Sequence, residues 1–123
     1  MPDNNIIVPE LNNETIESMI FIIRGEKVML DFELAHIYGY STKVFNQQVK
    51  NNKDKFDDDF RFQLSSDEWK EILRSKILTA NSLAKIRSHP YAFTEQGVYM
   101  LMTVLKGELA TSKLKHLFVS LNK

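Results

Sequence analysis

Two short apolar runs, FII and VML, face each other across the polar step Arg24-Gly25-Glu26-Lys27. This pattern predicts a β-hairpin with Gly25-Glu26 at its turn, in the type II′ geometry that takes glycine first. Asp31 follows as an expected helix N-cap. Leu34, Ala35, Ile37 and Tyr38 give that helix a short apolar face, which stops at Gly39, a residue suited to a left-handed C-terminal cap. Ser41 is placed to cap a second helix, whose apolar stripe runs through Phe45, Val49 and Phe56.

Further on, FRFQL alternates Phe60, Phe62 and Leu64 with Arg61 and Gln63, the period of a half-buried strand. Ser65 and Glu68 then form a capping box ahead of a helix with Trp69, Ile72, Leu73 and Ile77 on one side. From Thr79 to Ser88 no period is readable, and a loop is expected. YAF is a short strand, and Thr94 caps a helix from Glu95 to about Lys106 that is apolar almost all round, as a central core helix is. Gly97 near its start leaves room for close packing. After Gly107 a last helix carries Leu114, Leu117, Phe118 and Leu121. Connections this short do not allow parallel crossovers. The expected class is therefore α+β, small antiparallel strands packed with about five helices. Residues 1–14 read as a polar tail and 15–123 as one domain, with 43% apolar residues to build a core.

Composition narrows the chemistry. The chain has no cysteine, which excludes disulfides and thiolate sites, and no segment reaches the ~18 apolar residues of a membrane span. A cytoplasmic location is expected. Net charge is zero, yet its distribution is uneven. Residues 36–53 carry Lys43, Lys50 and Lys53 and no acid, while seven acids precede them and Asp57, Asp58 and Asp59 follow. Residues 72–94 hold only basic charges, through Arg74, Lys76, Lys85 and Arg87. One basic face on a neutral protein fits this alternation.

The acid-free segment contains the two-helix pattern LAHIYGYSTKVFNQQVKNN. A helix-turn-helix needs a small residue in its first helix, a turn residue that tolerates positive φ and an apolar anchor in its second. Ala35, Gly39 and Phe45 supply these. Val49 is apolar where Gln48 would be expected, which predicts a turn one residue longer than the usual three or four. With Phe45 and Val49 inside, Lys43, Asn46, Gln47 and Lys50 face outward beside Thr42. Amides pair with adenine edges, and lysine reaches guanine or phosphate. Asn51 and Lys53 could hold phosphates, and Arg24 and Lys27 flank a hairpin placed to act as a wing. Spacing and charge alone leave two readings open, a DNA-reading helix or an ordinary solvated face.

Three blocks, IRGEKVMLDFELAHIYGYSTKVFNQQVKNNKDKF, DDFRFQL and PYAFTEQGVYMLMTVLKGELA, resemble the N-terminal DNA-binding domain family named after phage open reading frame six. That family is related to the KilA N-terminal domain. The resemblance runs from about Ile16 to Ala110. It implies a double-stranded DNA-binding domain of a phage-derived or bacterial regulator or antirepressor, often the N-terminal part of a longer protein. It also implies that residues 34–52 face DNA. Two positions depart from the family pattern: Asn51 stands where a basic residue is common, and Asp57 where proline is common. Both changes reduce attraction to phosphate, and a homodimer through the C-terminal helix would restore contacts.

An enzyme is not expected. Three consecutive aspartates on a regular strand point alternately and do not converge on one ion. His36, His89 and His116 lack partners at ligand or triad spacing, so neither a metal nor a cofactor nor a small-molecule substrate is expected. The competing function is a protein-interaction module that binds a repressor or its own copy, with Leu114–Leu121 as its interface.

Overall fold

The computed structural model of the chain describes residues 17–75, 89–107 and 110–115. Its centre is a four-stranded antiparallel sheet of β1 (Ile20–Ile23), β2 (Glu26–Leu30), β3 (Arg61–Gln63) and β4 (Tyr91–Thr94), in the order β1-β2-β4-β3. Helices α1 (Asp31–Tyr38), α2 (Thr42–Lys50), α3 (Ser66–Ser75) and α4 (Glu95–Val104) surround it, and residues 110–115 are also helical. The α+β architecture read from the sequence is the one observed.

Strand alternation divides the core in two. Met29 and Phe93 point to one face of the sheet and pack with Leu34, Phe45, Val49, Val98, Leu101 and Leu114, which come from α1, α2, α4 and the 110–115 helix. Ile23, Val28, Leu30, Phe62, Leu64 and Ala92 point to the other face, where Trp69 and Ile72 of α3 cover them. Leu114 is fully buried in the first cluster, so this part of the expected C-terminal stripe packs back on its own core. Leu117, Phe118 and Leu121 lie outside the described residues.

The hairpin forms with a different turn from the one expected. Ile23 pairs with Glu26, so the loop is Arg24-Gly25, with φ of 55° and 77°. Two positive φ values make this the type I′ class rather than II′. Arg24 tolerates its left-handed conformation because tertiary contacts hold its side chain. Its guanidinium donates to both carboxylate oxygens of Glu68 at 2.8 and 3.0 Å and lies 4.0 Å from the centre of the Phe62 ring. No local pattern displays those partners. Phe60 also departs from expectation: it precedes β3 and packs toward the first cluster, while Phe62 and Leu64 belong to the second.

Three of the helix caps form as expected. The Ser41 hydroxyl accepts from Val44 N, Thr94 accepts from Gly97 N, and Ser65 and Glu68 bond each other's backbone N–H reciprocally. Asp31 does not cap. The N-cap is Leu30, and Asp31 is the first helical residue, 4% exposed with its carboxylate turned inward. The Asp57–Asp59 stretch forms a turn in which Asp57 accepts from Asp59 N, with both aspartates exposed.

Gly97 is required where α4 passes β3. A Cβ built there overlaps the Phe60 carbonyl oxygen, and backbone is what would have to move. Gly97→Ala is expected to cost about 3 kcal/mol or more, read as a lowered urea midpoint. A second prediction concerns acid. Bonds from Arg24 and Ser65 hold the Glu68 carboxyl down from the usual 4.5 to about 2. A carboxyl depressed by folding stabilises the native state above its unfolded value, and that contribution disappears as pH falls toward 2. Glu68→Gln is therefore expected to lower stability at pH 7 and to flatten the loss between about pH 5 and 2 in denaturant titrations.

Candidate nucleic-acid interface

The two-helix unit turns at Gly39, whose left-handed φ of 77° lets its N–H reach His36 O while Tyr40 N reaches Ala35 O. Both bonds satisfy carbonyls that the end of α1 would leave open. Gly39, Tyr40 and Ser41 are the entire connection, so the turn has the usual length and not the extra residue expected from Val49. An anchor at Phe45 and a second four residues later still share one side of a helix. Phe45 and Val49 are both fully buried. The elbow is braced from outside as well, because Tyr38 and Tyr40 stack with ring centres 6.4 Å apart and Tyr40 Oη donates to Lys106 O.

Burying Phe45 and Val49 determines what α2 shows to solvent. Helical geometry sets Gln47 opposite the midpoint of those two residues, with Lys43 and Lys50 on one side and Val44 and Asn51 on the other. All five are exposed, as are Thr42, Gln48 and Lys53. The face contains no carboxylate; the nearest acid in sequence, Asp54, lies in the short 3-10 helix Lys53–Lys55 beyond the end of α2. The Gln47 amide donates to Asn51 Oδ1 at 3.0 Å, and Asn52 donates to Gln48 O. Val44 is 46% exposed, an apolar side chain at the edge of a polar face. A search of the sequence for polar side chains passes over Val44. Its spacing of three from Gln47 is the signal that could have found it.

Three expected members are held elsewhere. Asn46 lies on the flank of α2, half-buried, and donates through Nδ2 to Asp31 Oδ2 at 3.0 Å. One residue after Phe45 it sits roughly a quarter-turn round the helix, which brings it to the seam with α1 rather than to the outer face. Arg24 is bound to Glu68 and lies against Phe62, on the side of the sheet that α3 covers. Lys27 is half-buried beside Glu26, Glu95 and Tyr99 near the start of α4. The structure thus groups Thr42, Lys43, Gln47, Lys50, Asn51 and Lys53 on or directly after α2, and sets Asn46, Arg24 and Lys27 apart. Of the second basic set, Arg74 is exposed and pairs with Glu71, while Lys76, Lys85 and Arg87 lie outside the described residues.

Asp31 links three elements. Oδ2 accepts from Asn46 of α2 and from Tyr91 N of β4 at 3.2 Å, and Oδ1 accepts from Phe32 N at 2.7 Å. Burial pushes its carboxyl above the usual range, against the downward pull of the three hydrogen bonds. Among the described residues no group of three or more His, Cys, Asp or Glu side chains gathers to hold a metal. No helix among them is long and apolar enough to cross a membrane.

The family model of the ORF6N domain matches residues 18–104. The chain belongs to the ORF6N domain family. Membership makes a phage-type regulatory domain its coarse functional class, and the matched span covers the sheet, the two-helix unit and α4. Comparison with curated proteins and with solved structures finds no significant match.

The Asp31–Asn46 bond yields a stability prediction. Asn46→Ala removes one of the two donors to a buried carboxylate oxygen and is expected to cost about 1–3 kcal/mol, whereas Lys43→Ala should stay within about 0.5 kcal/mol. A carboxyl raised by folding disfavours the native state progressively as pH rises through its folded value, and losing Asn46 raises it further. The Asn46→Ala deficit should accordingly be smallest in acid, where Asp31 is protonated, and grow toward neutrality in urea titrations.

Proposed function

We propose that this ORF6N domain binds double-stranded DNA sequence-specifically, with α1 and α2 acting as a helix-turn-helix and α2 entering the major groove. The observation that carries the reading is the outer face of α2. It presents Lys43, Gln47, Lys50 and Asn51 without a carboxylate, on a helix fixed from behind by Phe45 and Val49. Lysines attract phosphate and amides match base edges, while a rigid backing keeps the side chains in register with a groove. Thr42 at the start of α2 and Lys53 after its end are placed to hold the backbone on either side. Asn46 acts in this scheme as a fastening between α2 and the sheet. Arg24 fastens the hairpin to α3.

The role that fits is a phage-derived or bacterial transcriptional regulator or antirepressor working in the cytoplasm. Two lysines on the face of α2 give limited phosphate attraction. A pair of copies on half-sites about 34–36 Å apart would double it.

The test is binding of the whole chain to a pool of randomised duplexes, followed by anisotropy titrations of the selected duplex at increasing salt. Affinity should fall steeply with salt. Lys43→Ala/Lys50→Ala should weaken binding at every sequence and reduce the log–log salt slope by about 2, one for each phosphate no longer neutralised. Both side chains are exposed, so circular dichroism should show an unchanged fold. Absence of binding to any duplex at low salt would falsify the function. Full binding by the double variant would move the site away from α2.

A further inference from the structure

The centre of the α2 face, taken with the groove reading above on which it rests, assigns a base preference. We propose that Gln47 and Val44 read an adenine–thymine step in the target, and that Asn51 is a positioning residue holding the Gln47 amide in place.

Several features of the face converge on this assignment. Gln47 lies directly opposite the buried anchors, where a groove-bound helix comes closest to the base edges. Adenine offers N7 as acceptor and N6 as donor, which a glutamine amide matches with one N–H and its oxygen. Gln47 Nε2 donates one hydrogen to Asn51 Oδ1 at 3.0 Å, and this leaves its second hydrogen and Oε1 to make that pair. The bond restricts the amide before any ligand arrives, which lowers the ordering cost of recognition.

Val44 lies one helical turn from Gln47, 46% exposed. A β-branched apolar residue gains nothing from water or from helix propensity at such a position. Its methyl groups complement the C5-methyl of thymine, the apolar feature of the major-groove edge. The face also lacks arginine, the commonest reader of guanine. Lys43 and Lys50 lie two turns apart along the other side, a spacing suited to following a phosphate strand. The amide-and-methyl row and the lysine row thus divide the work between base edge and backbone.

The experiment uses the full chain and duplexes with single-atom or single-group changes. Sites selected from the randomised pool should share an A·T step. Replacing its adenine by 7-deazaadenine removes the N7 acceptor and should weaken wild-type binding about tenfold or more, with little effect on Gln47→Ala. Replacing thymine by uracil removes only the methyl group and should cost the wild type about fourfold, the equivalent of one buried methyl, and cost Val44→Ala nothing. Asn51→Ala should reduce discrimination against 7-deazaadenine, read as a smaller ratio between its affinities for the adenine and 7-deazaadenine duplexes at the same salt. Selection of G·C steps, or base-analogue penalties that persist unchanged in Gln47→Ala and Val44→Ala, overturns the assignment while leaving DNA binding intact. Discrimination unchanged in Asn51→Ala removes its positioning role. Failure to bind any duplex at low salt overturns the function itself, and this assignment with it.

Discussion

The arrangement of this domain depends on one ring. Phe93, fully buried on the inner strand β4, meets Phe45 of α2 edge-on at 5.6 Å and Phe56, beyond the end of α2, at 5.9 Å. Both contacts are near-perpendicular, the orientation in which the positive ring edge meets the negative ring face. They fix α2 against the sheet by its first turn and hold the chain again just past its last. Because the inner side of α2 is settled in this way, its outer side is settled too, down to which residue stands furthest from the core. A helix held by one anchor could roll. Here Val49 adds a second apolar point, and the Asn46–Asp31 bond adds a directional one at the seam.

Polar contacts then separate the two sides of the sheet by task. On the α3 side, Arg24 and Glu68 close the hairpin tip onto the helix and onto Phe62. On the other side, Asp31 binds α1, α2 and β4 together through the donors of three different elements. The two carboxyls respond to folding in opposite directions, Glu68 downward because a guanidinium faces it and Asp31 upward because burial outweighs its bonds. A buried carboxylate is a costly fastening compared with an apolar contact of the same size. Its return is geometric: each bond accepts one direction only, so the angle between α2 and the sheet is specified more narrowly than packing alone would set it.

What is legible in the sequence is what depends on local rules. Ser41, Thr94 and the Ser65–Glu68 box mark helix starts by chemistry that acts within one turn, and the alternation of Phe62 and Leu64 with Arg61 and Gln63 reports burial directly, although Phe60 leaves that pattern. The outward placement of Lys43, Gln47 and Lys50 follows from Phe45 and Val49 by helix geometry, as does the two-helix unit from Ala35, Gly39 and Phe45. The failures share a different cause. Arg24 enters the turn because of Glu68 and Phe62, both far along the chain, and Asp31 turns inward because Tyr91 and Asn46 await it. The face set opposite Phe45 and Val49 is drawn too wide when it takes in Asn46, whose angle places it on the flank, where Asp31 receives it. Long-range partners select among conformations that local sequence leaves nearly equal.

On the proposed reading, asparagine rather than a cation at residue 51 has a physical logic. A cation there would add one phosphate contact and strengthen binding to every sequence alike. Asparagine gives up that contact, and its side-chain oxygen accepts from the Gln47 amide instead. Non-specific affinity is governed by the lysines, whereas the difference between right and wrong sequences is governed by groups that touch base edges. Exchanging a cation for a brace on the central amide therefore lowers binding everywhere while raising the share of it that depends on sequence. A domain of zero net charge has little long-range attraction to DNA to begin with. For such a domain, selectivity has to come from the few side chains that reach the bases, and their rigidity matters more than their number.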